Sequence, residues 1–163
     1  MARRPRGMTV LSYLIAIAAL CIAVGYVDAV ATFYVRGMLQ VAQEGGGFAQ
    51  AVTEAMPPRI VALEQTRQAA TVLVLVTVAI VAGRNLQQQF GTAFYALGGW
   101  TVFRYAAIRT ITDWPGALTD VDTVLYLPHP VYAPVWMPIV IALGVAAVGV
   151  TLIRAGALAL KRT

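Results

Sequence analysis

Of the chain's 163 residues, 60% are apolar and only 12% are charged, against about 45–50% and about 25% in ordinary soluble domains. The surplus must face lipid, and four spans of roughly 20 residues with their connections use nearly all of the length, so no separate soluble domain fits. The net charge of +5 excludes nucleic acid rather than suggesting it, because the basic residues sit at the ends of apolar segments and form no stripe or arm.

Arg3, Arg4 and Arg6, followed by an apolar run over residues 8–27, resemble a signal peptide, and Ala29-Val30-Ala31 supplies a cleavage-like triplet. The segment is expected to be retained as the first of four spans, over about residues 8–35. Ser12, Ala16, Ala19 and Ala23 recur at helical spacing and predict a small-residue face on which a neighbouring helix packs closely. Cys21, the single cysteine, lies within this run, which excludes an intrachain disulfide and a dithiol relay.

Glu44-Gly45-Gly46-Gly47 predicts a turn, since a glycine run costs helix stability. Residues 48–55 suit a short amphipathic helix, and Pro57-Pro58 is placed to open the next one. The second span is expected over residues 59–83. Only 69–83 is continuously apolar, so Ile60 to Leu63 must help to cross, and Glu64 and Arg67 fall near a boundary at pairing distance. Arg84-Asn85-Leu86-Gln87-Gln88-Gln89 reads as a polar connection. The third span, over residues 90–108, is interrupted by Arg104. Its Gly98-Gly99 pair allows close packing or bending.

Residues 110–133 form a long connection carrying Trp114, Pro115, Tyr126, Pro128, Pro130 and Tyr132, types that favour the membrane interface. Thr119 and Asp122 fit a capping box, which predicts a short surface helix over residues 120–127. The fourth span, over residues 134–153, is free of charge. The expected fold is therefore all-α, a four-helix transmembrane bundle with a long outer loop that carries a short interfacial helix.

Arg3, Arg4, Arg6, Arg84, Arg154, Lys161 and Arg162 fall on one side of these four spans, while all seven carboxylates lie within spans or opposite. Positive residues stay inside. Both termini are thus expected in the cytoplasm, and the chain is read as a multi-pass protein of a bacterial cytoplasmic membrane.

At about 1.5 Å of rise per residue, Asp28 lies roughly 30 Å above Met8, Glu64 about 30 Å and Arg67 about 25 Å above Arg84, and Arg104 about 27 Å above Leu86. Four charges converge in the outer leaflet. Because an unpaired charge in lipid costs about 2.5–3.5 kcal/mol at mid-bilayer even on the most lenient insertion scale, Asp28 is expected to pair with Arg104, and Glu64 with Arg67. Such pairs either brace the bundle or line a pocket for an anionic headgroup, a quinone or an ion. An outer interface is expected at Trp114, Asp120, Asp122, His129 and Trp136. His129, the only histidine, cannot supply bis-histidine ligation, and Asp120 and Asp122 lack the glycine and distal glutamate of a calcium loop. No catalytic residue or metal ligand set is assigned, and the sequence names no cofactor. The expected role is a non-catalytic accessory or scaffold subunit of a larger membrane complex, with other membrane subunits and lipids as partners. The alternatives are a small transporter or a lipid- or quinone-binding protein that uses the Asp/Arg cluster.

Overall fold

The computed structural model describes residues 9–39, 56–125 and 131–162, with side chains resolved to position for all but 36–39, 125 and 161–162. Four long helices dominate: α1 (Val10–Leu39), α2 (Pro58–Ala82), α3 (Leu86–Thr112) and α4 (Trp136–Arg162). Strands β1 (Val121–Leu125) and β2 (Val131–Pro134) lie between α3 and α4. Three helices, α1, α2 and α4, are long and apolar enough to cross a membrane, which makes the chain an integral membrane protein. The glycine turn at 44–47, the amphipathic stretch at 48–55 and His129 lie outside the described residues.

Local chemistry sets the helix ends. Thr9 opens α1 by accepting the Ser12 backbone N–H on its hydroxyl at 3.1 Å. Pro58 stands in the first turn of α2, where Ile60 N–H reaches the Pro57 carbonyl at 2.8 Å. The connection to α3 is shorter than the sequence suggests, because Gln87, Gln88 and Gln89 belong to the helix. Asn85 caps it by accepting Gln88 N–H at 2.8 Å, while the Gln88 side chain accepts Arg84 N–H at 3.0 Å and Gln89 donates to the Ile80 carbonyl at 3.2 Å. The glutamines satisfy the free backbone groups of two helix ends, so this polar run adds a turn instead of breaking one. At the far end α3 stops at Asp113, in the left-handed region with φ 55°, a conformation that aspartate tolerates better than most residues.

The short surface helix expected over 120–127 is corrected. Residues 121–125 form β1, which pairs antiparallel with β2 in the register Val121 to Pro134, Asp122 to Ala133 and Thr123 to Tyr132. Val121, Thr123 and Val124 are β-branched and prefer an extended chain. Asp120, not Thr119, does the local capping, since its carboxylate accepts Gly116 N–H at 2.8 Å and Ala117 N–H at 3.0 Å. Backbone bonds from Val135 N–H to the Asp120 carbonyl and from Trp136 N–H to the Leu118 carbonyl then anchor the hairpin to the start of α4.

Helix α3 is the centre of the bundle and packs on α1, α2 and α4. Its buried face includes Gln88, Thr92, Arg104 and Thr112, and this explains why it is less apolar than its neighbours: it meets protein where they meet lipid. The Gly98-Gly99 pair is divided between two partners. A Cβ on Gly98 would run into the Ala142 carbonyl of α4, whereas one on Gly99 would face the Cys21 sulfur of α1. Close backbone approach of this kind is how helices pack in lipid. One cluster of buried side chains, Ile17, Cys21, Leu75 and Ala96, fills the middle of the bundle. A second, built from Ala29, Met56, Tyr105, Ile108, Trp114 and Val135, fills the hairpin end.

Within this chain α1 packs through a face other than its small-residue stripe. Ile17, Cys21, Asp28 and Ala29 are buried, while Ala16, Ala19 and Ala23 are exposed. Inside this chain α1 approaches α3 through Gly25, where a Cβ would stand 2.9 Å from the Arg104 backbone nitrogen.

Candidate functional site

The structure brings Asp28, Glu64, Arg67 and Arg104 together near the hairpin end of the bundle, each on a different turn or helix. The close approach at Gly25 sets Asp28, one turn further along α1, against α3. Arg104 Nε lies 3.0 Å from Asp28 Oδ2. Glu64 and Arg67 are neighbours on α2, where Arg67 donates from Nη2 to Oε2 at 2.6 Å and from Nε to Oε1 and Oε2 at 3.2 and 3.1 Å. The two pairs are not separate, because Arg67 Nη1 also contacts Asp28 Oδ1. Asp28, Glu64 and Arg104 are 3%, 6% and 7% exposed, so these charges meet protein and one another.

Asp122 joins the same network from β1. Its Oδ2 accepts the Tyr105 hydroxyl at 2.9 Å and stands 3.8 Å from Arg104 Nη1, while Arg104 also lies over the Tyr105 ring at 5.3 Å. Among the residues expected to face outward, Asp122 and Trp114 are instead buried within the chain. The pleat turns Asp122 inward, and Trp114 fills the core under the hairpin. Asp120 is half-buried by its turn and Trp136 is 45% exposed. Three carboxylates and two guanidiniums therefore tie α1, α2, α3 and the hairpin at one level, and charge-assisted bonds of this kind are the strong ones.

Gln68 was not foreseen as part of this region, yet it is buried one turn from Glu64. A signal was present: Glu64, Gln68, Leu75 and Ala79, the buried face of α2, recur at spacings of four and seven. Beside the network a groove of about 870 Å³ runs along α3, with α2 and α4 as its walls. Ala69, Val72, Leu73 and Val76 line one wall and Pro138, Ile141, Ala142 and Val145 the other. Gln68, Arg104 and Tyr105 stand at its hairpin end, below Val124 of β1. Among the described residues no three histidine, cysteine or carboxylate side chains form a metal-binding group. Comparison of the chain with family models, curated proteins and solved structures finds no match, so the chemistry of this helical membrane protein is read from its geometry.

Proposed function

We propose that the protein crosses a bacterial cytoplasmic membrane four times, with both termini inside, and serves as a non-catalytic accessory or scaffold subunit of a larger membrane complex. The 27 residues of α3, about 40 Å of helix, are long enough for the fourth crossing, and antiparallel packing on α2 and α4 supports it. The distribution of basic residues supports the orientation.

The observation that carries the scaffold reading is the unused face of α1. Ala16, Ala19 and Ala23 are exposed and form a surface on which a helix from another chain can approach closely. The ionisable side chains are meanwhile engaged with one another, which suits a brace better than a transport path. Extraction in mild detergent followed by native mass spectrometry is expected to show a stoichiometric companion chain. Ala19→Leu with Ala23→Leu is expected to release it without lowering the unfolding temperature. A strictly monomeric species from native membranes would overturn the reading.

A further inference from the structure

Going beyond a scaffold role, we propose that the groove between α2 and α4 binds an uncharged amphiphile, with a carbonyl-bearing head at Arg104 and Gln68 and an apolar tail along Val72, Leu73, Ile141 and Val145. Its volume of about 870 Å³ falls within the roughly 300–1,000 Å³ of small-molecule sites. The walls open sideways, since Ala69, Val72, Leu73 and Ile141 are exposed on faces that meet lipid, so a membrane-dissolved molecule can enter without passing through water.

Polarity is graded along the groove. Gln68, Arg104 and Tyr105 mark one end, and from there the lining runs down to Val76 and Leu97. The distance is eight residues on either helix, or about 12 Å, close to half of the roughly 30 Å hydrocarbon layer. Thr101, the other polar residue on the floor, donates its hydroxyl to the Leu97 carbonyl at 2.9 Å. A molecule with one polar end and a tail as deep as one leaflet matches this gradient.

Charge selects the head. Asp28, Glu64 and Asp122 against Arg67 and Arg104 leave one formal negative charge, which disfavours an anionic phosphate beside them. Arg104 and Gln68, which line this end, are N–H donors, and a neutral carbonyl oxygen is the acceptor that suits donors beside a net negative cluster. The walls argue for a flexible chain over a partner helix. Helix docking in lipid uses small residues, but Val72, Leu73, Val76, Ile141 and Val145 are branched and bulky, and Gly98 on the floor is already occupied by α4. An isoprenoid quinone and a neutral acylglycerol both carry the required chemistry.

The test is native mass spectrometry of the full chain in micelles, titrated with a decyl benzoquinone, a didecanoylglycerol and an anionic decanoyl lysophosphatidylglycerol. Saturable binding of a neutral probe at least about tenfold tighter than the anionic one is expected, a difference of ~1.4 kcal/mol. Preference for the benzoquinone would assign the site to quinones, and preference for the acylglycerol to neutral lipids. Ala69→Trp and Ile141→Trp, which fill the groove from exposed positions on opposite walls, are each expected to weaken binding by about tenfold or more. Ala70→Trp, exposed outside the groove, is expected to leave it unchanged. Equal binding of the anionic probe, no saturable binding, indifference to both filling variants, or a companion protein cross-linked from position 69 in native membranes would overturn the proposal.

Discussion

Asp28→Asn removes a carboxylate that touches both arginines, and the two arginines respond differently. Arg67 keeps Glu64, which it grips through three hydrogen bonds of 2.6–3.2 Å, and its side chain is 21% exposed. Arg104, with a side chain 8% exposed, loses its contact at 3.0 Å and keeps Asp122 at 3.8 Å. Most of the loss therefore falls on Arg104, and breaking a buried pair by removing one partner costs about 3–5 kcal/mol. At roughly 2–4 °C per kcal/mol for a chain of this size, unfolding should occur on the order of 10 °C lower. Cys21 supplies the assay: it is the only cysteine and is fully buried, so a thiol-reactive fluorophore reports its exposure as the bundle opens. Asp28→Asn with Arg104→Gln should recover much of the loss, whereas Asp28→Asn with Arg67→Gln should recover little. Strict additivity of Asp28→Asn and Arg104→Gln, within about 0.3–0.5 kcal/mol, would refute the pairing.

The same thiol assay separates two glycines of α4. Gly149→Ala places a Cβ 2.5 Å from the Tyr95 backbone nitrogen and should cost about 1–3 kcal/mol by overpacking, while Gly144→Ala meets nothing within 4 Å and should be neutral or stabilising by about 0.5–1 kcal/mol. Tyr105→Phe loses its bond to Asp122 and should cost about 1 kcal/mol, with faster amide exchange across β1 than elsewhere; unchanged exchange would show that the bond does not hold the hairpin. Cysteines introduced at Asn85 and Asp120 should label from opposite sides of the membrane, and labelling from the same side would contradict four crossings.

The helices were legible because lipid demands long apolar runs, and the level of the four charges was legible because a helix converts residue number into depth. Register around the helix axis was harder. On α1 the small residues marked a face for close packing without saying against which helix, while Gly25 and the buried Asp28 fix the face that meets α3 and leave Ala16, Ala19 and Ala23 outside. Polar residues at 84–89 looked like a loop because composition alone does not distinguish a solvated turn from a cap. The hairpin was missed for a related reason: a capping-box pattern of two residues outweighed the β-branched run at Val121, Thr123 and Val124. Its inward-facing Asp122 was thereby read as solvated. The groove depends on how far two helices stand apart across a third, which no local pattern records.

Arg104 also bears on how the chain enters the membrane during synthesis. On the four-crossing reading, α3 alone would carry an unpaired guanidinium into the outer leaflet, where the cost is below the roughly 2.5–3.5 kcal/mol of the bilayer centre but still unfavourable. By the time it emerges, α1 and α2 have been made, and they already hold Asp28, Glu64 and Arg67 at the matching depth. The earlier helices thus present carboxylates to an incoming cation, and the least apolar helix is accepted as part of a group. Since α1 and α2 pack on α3 rather than on each other, a chain translated without its third helix would leave the first two with charges to match and no surface to join them.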